Sequence, residues 1–220
     1  MTQRVLGLFG AAALALFCGT GCSSSDSGSG TPPADTGGGG TDTGGGTDTG
    51  GDTAVTLSCD DYCNKNIAAC TGTLKQYNDK ATCMAMCAKF DVGTAGATSG
   101  DTLACRTYHT GAASADATAA TLHCPHSGPY GGATCGDSRC ADYCKLAVAL
   151  CGDKAGATFK DVATCLTDCN ASSFDATKGE IDATAVGKTN CTQYHLEAAA
   201  TTPDPHCGHL STTAGPCKAP

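Results

Sequence analysis

The cysteines constrain this chain more than any other feature. Sixteen of the eighteen fall into two sets of eight: Cys59, Cys63, Cys70, Cys83, Cys87, Cys105, Cys124 and Cys135 stand over Cys140, Cys144, Cys151, Cys165, Cys169, Cys191, Cys207 and Cys217, at an offset that stays between 81 and 86 residues. Self-similarity at a near-constant period marks a tandem duplication. The match extends past cysteine, since Cys-Asp-Asp-Tyr-Cys (59–63) faces Cys-Ala-Asp-Tyr-Cys (140–144), and Cys-Arg-Thr-Tyr-His (105–109) faces Cys-Thr-Gln-Tyr-His (191–195). His-Cys-Pro-His (123–126) likewise faces His-Cys-Gly-His (206–209).

The apolar inventory explains why so many cysteines are needed. Between Cys59 and Cys135 the only Leu, Ile, Val and Phe are Ile67, Leu74, Phe90, Val92, Leu103 and Leu122, with Met84 and Met86 as fillers. A fully buried large side chain stabilises by ~1.5–3 kcal/mol while ordering costs about 1.5 kcal/mol per residue, so these few cannot hold a module together. Disulfides at ~2–4 kcal/mol each would supply the remainder. Eighteen cysteines without a single tryptophan place the chain in the small, disulfide-dense, exported class. A net charge of −8 argues against nucleic acid as a partner and gives no attraction to anionic lipid.

Residues 1–21 read as an export signal, with Arg4 as its positive start and Val5 to Phe17 as an apolar stretch too short to span a bilayer. Gly21-Cys22-Ser23 follows, and here the chain resembles bacterial lipoproteins, in which a small residue precedes the cysteine that receives a diacylglycerol. Gly19 stands where that family usually has Leu. The resemblance implies lipidation of Cys22, membrane attachment through that lipid and, with Ser rather than Asp following, the outer membrane. Cysteine arithmetic agrees: removing Cys18 and acylating Cys22 leaves eight per module and none over. Residues 22–57, dominated by Ser, Gly, Thr and Asp, are expected to be a disordered tether, with a reach of roughly 30 Å.

The first module spans 58–135 and the second 136–220. Ser58 is a suitable N-cap, Asp60 and Asp61 suit a first turn, and Cys59, Cys63, Ile67 and Cys70 share a helical face. A second helix is expected from about Asp79 to Lys89; its copy opens Thr158-Phe-Lys-Asp161, an approximate capping box. Two CxxxC helices joined by a short loop resemble disulfide-stapled helical hairpins such as the α-hairpinins. In an antiparallel pair, bridged positions should have a constant sum of residue numbers, which selects Cys59–Cys87 with Cys63–Cys83, and Cys140–Cys169 with Cys144–Cys165. The rival Cys63–Cys87 with Cys70–Cys83 mismatches the helices by about 4.5 Å. The remaining cysteines are assigned with less constraint as Cys70–Cys105, Cys124–Cys135, Cys151–Cys191 and Cys207–Cys217. A third helix is expected over about Thr102 to Ala120, its copy stopping at Pro203, and the segments His123–Cys135 and His206–Cys217 look like loops held by their last cysteine. The fold class is therefore mainly α: two tandem modules of three helices and a cysteine-tethered loop each.

All six histidines occupy matched positions: His109 with His195, His123 with His206, His126 with His209. Three imidazoles per module could converge on copper or zinc. The commoner fate of a helix histidine beside a cysteine is a hydrogen-bonded place in the core, so no cofactor is the leading expectation and Cu or Zn the alternative. Cys-x-x-Tyr-His lacks the second thiol of a haem-attachment motif. Tyr62 and Tyr143 are expected to pack beside helix cysteines, and Asp79 and Asp161 to serve helix starts. No Gly-x-Ser-x-Gly elbow, phosphate loop, HExxH or dinucleotide fingerprint is present, so no catalytic residue is assigned and no enzyme expected.

Lipobox, tether and paired modules together resemble cysteine-rich bacterial lipoproteins with tandem eight-Cys modules, a likeness that brings no activity with it. It implies an outer-membrane lipoprotein displaying two disulfide-braced modules in a binding or structural role toward some envelope or extracellular partner. Metal or haem-related binding through the matched histidines is the alternative, and an enzyme with an unrecognised site a distant third.

Overall fold

The computed structural model describes residues 57–220. The export signal, Cys22 and residues 22–56 of the tether lie outside the described residues. Eight α-helices and no β-strand occur among those described: α1 Cys59–Ala69, α2 Lys80–Cys87, α3 Leu103–Ala113, α4 Ala117–Ser127, α5 Arg139–Cys151, α6 Val162–Asn170, α7 Thr189–Thr201 and the single turn α8 Pro203–His206. Among them no helix is long and apolar enough to cross a membrane.

Short polar side chains set the helix starts. Ser58 accepts from the Asp61 amide and Ser138 from that of Ala141, opening α1 and α5 at equivalent places in the repeat. Asp79 and Asp161 cap α2 and α6 in the same way, each accepting an amide at 2.8 Å. Asp161 is thus the N-cap itself, and the capping box read from Thr158 does not form. Thr158 instead donates its hydroxyl to the Cys207 carbonyl at 3.1 Å.

The third helix is shorter than expected, and a fourth follows it. Thr102 caps α3, which ends at Ala113; Asp116 then accepts from the Ala119 amide and starts α4, which doubles back along α3. The Ala-rich composition of 102–120 favours helix throughout, but Asp116 offers the backbone a new cap and so a turn. His123 to Ser127 is therefore helix rather than loop, with Pro125 tolerated two residues before the end. In the second half α7 stops at Thr201 and the counterpart of α4 is reduced to α8, where Pro203 occupies the first position. Each half holds four helices, not three.

This extra helix changes the disulfide topology. Cys59–Cys87 and Cys63–Cys83 staple α1 to α2, and Cys140–Cys169 and Cys144–Cys165 staple α5 to α6. The remaining bridges are Cys70–Cys124, Cys105–Cys135, Cys151–Cys207 and Cys191–Cys217, in place of Cys70–Cys105, Cys124–Cys135, Cys151–Cys191 and Cys207–Cys217. Once α4 folds back, Cys124 lies beside the end of α1 with Cα atoms 5.6 Å apart, while Cys105 meets the strap that follows α4. Every bridge stays within its own half, and the density of cross-links fits an oxidising, exported setting.

The two halves share one core. Tyr62, Tyr77, Met86, Leu103 and Tyr130 pack in the same cluster as Tyr143, Leu146, Leu150, Phe159, Leu196 and Leu210. The aliphatic residues singled out from the sequence contribute little: Leu103 is buried, but Val92 and Leu122 are 58% and 59% exposed and Ile67 also faces solvent. Tyrosines take their place, because a buried phenol brings a large apolar ring provided its hydroxyl finds a partner. Tyr62 meets the Tyr77 hydroxyl at 2.6 Å, and Tyr143 donates to the Leu210 carbonyl at 2.7 Å. Burial pushes both Tyr62 and Tyr143 well above the usual phenol range.

Candidate metal centre

The α3–α4 hairpin is what assembles the first histidine group. His109 lies one turn beyond Cys105 on α3; His123 and His126, three apart, share the face of α4 turned toward it. Cys124 between them is tied to Cys70, and Cys105 to Cys135, so both helices are clamped beside the rings. In the second half α7 carries His195, α8 ends on His206, and His209 follows after one more turn of chain.

Each half brings its three imidazoles together. In each group one ring nitrogen per histidine lies within 4.8 Å of the other two. Ring centres stand 5.1, 5.0 and 6.1 Å apart for His109/His123, His109/His126 and His123/His126, against 5.3, 5.0 and 6.0 Å for the matching pairs of His195, His206 and His209. The relative ring tilts repeat as well, with one tilted and two near-perpendicular pairs in both halves. Convergence, which the matched positions alone left open, is therefore a property of the fold.

Hydrogen bonding identifies the inward nitrogens. His109 Nε2 lies 3.1 Å from the Thr98 carbonyl, which can only accept, so that nitrogen carries the proton and the neutral ring keeps its lone pair on Nδ1. That Nδ1 faces His123 Nδ1 at 2.9 Å, and His195 Nδ1 faces His206 Nδ1 at 3.1 Å. His126 Nδ1 and His209 Nδ1 are buried without a hydrogen-bond partner. A packed core histidine normally satisfies such an atom, whereas a ligand nitrogen must stay free of protein partners. The outward bond from His109 to a carbonyl is the usual way a ligand ring is oriented.

Two of the three ring spacings in each group suit an ion as they stand, and the third, 6.1 Å for His123/His126 and 6.0 Å for His206/His209, has to close by about 0.8–0.9 Å. At a metal–nitrogen bond of ~2.0–2.1 Å a ring centre lies about 3.2 Å out, and two rings at the tetrahedral angle stand about 5.2 Å centre to centre. Their nitrogens would be about 3.3 Å apart, a few tenths of an ångström wider than the Nδ1 pairs observed. Loading also requires His123 to carry its proton on Nε2, a shift between neutral tautomers. Burial is the main cause that lowers His109, His126 and His206, and it lowers His195 to about 4 with help from His209 and His206. Neutral, deprotonated imidazole is the form that binds metal.

Other residues near the groups have different roles. The sulfurs of Cys105 and Cys135 lie near His109, and those of Cys191 and Cys217 near His195, but as disulfides they offer no thiolate and no thiol for haem attachment. Tyr108 and Tyr194 set their ring edges on His109 and His195 at 5.2 and 5.4 Å. Arg106, which the sequence did not single out, is fully buried, stacks over Phe90 at 4.0 Å and donates to the carbonyls of Gly128 and Pro129. It holds the strap after α4 in place. Its repeat partner is Thr192, so matching the two halves could not have found it.

Comparison with known proteins adds one likeness. Residues 46–142 match the family model described as the BfoA family C-terminal domain. The matched stretch is under half the chain; it contains the whole first module with its histidine group and stops soon after α5 begins. No curated protein matches, and no solved structure does.

Proposed function

We propose that this is an exported metal-binding protein, anchored in the outer membrane through a lipid on Cys22 and displaying two disulfide-braced modules that each hold one copper or zinc ion. The ligands are His109, His123 and His126 in the first module and His195, His206 and His209 in the second. One observation carries the reading: the same three-ring geometry, with the same unpartnered third Nδ1, occurs in both modules. Disulfides already hold the fold, which leaves the ion free to be cargo rather than a structural staple. The role is binding rather than catalysis.

The test is a titration of the oxidised mature protein with Cu(II) or Zn(II), following imidazole signals by NMR and metal by elemental analysis. Saturation at two ions per chain with shifts at all six histidines is expected; unshifted imidazoles at two equivalents end the reading. A second reading, in which the modules are braced display elements without metal, has the Nδ1 pairs and the Thr98 bond in its favour, since a core histidine makes contacts of that kind. The partnerless nitrogens of His126 and His209 weigh against it.

A further inference from the structure

Resting on the tri-imidazole reading above, we propose that the ion these sites select is monovalent copper, in preference to divalent zinc. Charge is the first reason. The donor groups around His109 and His195 contain only histidine and disulfide-bonded cysteine; among the described residues no Asp or Glu shares either group. Every available donor is therefore neutral, and an ion held there keeps its whole charge. The cost of moving an ion out of water grows with the square of that charge, so a divalent ion bears about four times the penalty of a monovalent one unless a carboxylate, thiolate or bound hydroxide compensates it.

The setting of the donors makes that cost matter. His109 is buried, and the Nδ1 atoms of His126 and His209 have neither solvent access nor a protein hydrogen-bond partner, while one ring nitrogen of each histidine lies within 4.8 Å of the other two. Coordination number is the second reason. Three nitrogens satisfy a monovalent d¹⁰ ion, while zinc takes four ligands and would have to import one. Imidazole binds both copper and zinc, and the thiolate donors that would select monovalent copper by softness are locked in disulfides, so charge and ligand count have to decide between the two ions. The flanking disulfide sulfurs add polarisable surface and no charge, in both halves alike.

A competition under anaerobic conditions tests this. The full oxidised protein is loaded with two equivalents of Zn(II) and offered two of Cu(I), prepared with hydroxylamine so that no thiol reaches the disulfides; the reverse exchange is run in parallel. Copper is expected to displace zinc from both sites with at least about a tenfold preference, and zinc to leave bound copper in place. Zinc retained against equimolar Cu(I) overturns the monovalent preference and leaves the tri-imidazole reading standing. Binding of neither ion overturns both. The His126→Asp and His209→Asp protein supplies the missing negative charge, so its preference should swing toward zinc by at least about tenfold; an unchanged preference overturns the charge argument. His123→Gln with His206→Gln, at half-buried positions, is the second variant. If its disulfide map is native, loss of both ions supports the assignment, and undiminished binding places the ions elsewhere and overturns it.

Discussion

His109 and His123 meet Nδ1 to Nδ1 at 2.9 Å, a separation at which only one of the two atoms can carry a proton. Charging His109 would place a second proton there, in a buried setting beside other imidazoles. Burial followed by neighbouring rings lowers His126 and His195, the latter to about 4, and His109 is lowered by burial despite the Thr98 carbonyl that favours its charged form. In the unfolded chain these rings return to about 6.5. Below that value the unfolded state takes up protons that the folded state refuses, so their contribution to stability is complete above about pH 6.5 and falls away as pH drops toward 4. An NMR titration of the metal-free protein should place the His195 midpoint near 4; an ordinary midpoint would contradict the burial of the group.

The disulfide Cys70–Cys124 closes 54 residues of chain, against 28 for Cys59–Cys87. Replacing Cys70 and Cys124 by serine should cost ~2–5 kcal/mol in urea unfolding, about 0.5 kcal/mol more than the same change at Cys59 and Cys87 in the chain-entropy account. It should also weaken metal binding more, because Cys124 holds the helix that carries His123 and His126. Peptide mapping without reduction should recover Cys70–Cys124 and Cys151–Cys207. Finding Cys70 joined to Cys105 would contradict the placement of α4.

The stapled hairpins were legible because their information is local: cysteines four apart mark a helical face, and a constant sum fixes an antiparallel pair. What failed depended on a single turn. Gly111, Ser114 and Asp116 are the break signals inside the Ala-rich run from Thr102 to Ala120, but the surrounding alanines outweigh them in a propensity reading. Pro125 removes the amide that would bond the Thr121 carbonyl, and yet α4 runs on to Ser127. Missing α4 misplaced Cys124 and left the histidine group without a frame. The histidines themselves were visible through the repeat. Arg106 and Glu197 were not, because their counterparts are Thr192 and Gly111 and their partners lie far along the chain.

Gly136 is required by the carboxylate of Asp142. A Cβ at Gly136 would stand 1.9 Å from Asp142 Oδ2, while Asp142 Oδ1 accepts from the Asp137 amide at 3.2 Å, so this carboxylate closes the short link between the halves. Gly136→Ala should destabilise by about 1–3 kcal/mol, and much of that should be recovered when Asp142→Ala is added, giving a clear coupling in a double-mutant cycle. Additive costs would show that the contact is not what limits the position. Burial also raises Asp142 to about 6, so its stabilising effect is complete below about pH 3.8 and is lost as pH rises through 6. Asp142→Asn, which keeps the acceptor for Asp137, should therefore gain on the parent protein by about 1–3 kcal/mol between pH 4 and pH 7.

Glu197 on α7 is fully buried and accepts the Asn78 amide at 2.7 Å across the two halves, while its Oε1 has no partner. Burial is the largest influence on it and pushes its carboxyl well above the usual carboxylate range. Since Gly111 occupies the equivalent place in the first half, Glu197 serves the seam between the modules rather than the repeated unit. Glutamine at this position retains the acceptor and cannot ionise, so Glu197→Gln should stay close to the parent at acid pH and gain on it as pH rises, because the parent loses the stabilisation of a neutral carboxyl as pH passes through the folded-state value. Glu197→Ala leaves the half-buried Asn78 amide without its acceptor and opens space at the seam, a loss of about 2–4 kcal/mol. Urea unfolding at two pH values separates these outcomes. Equal losses for alanine and glutamine would mean that the amide finds water instead and that the Glu197 carboxyl does not help hold α7 to the first half.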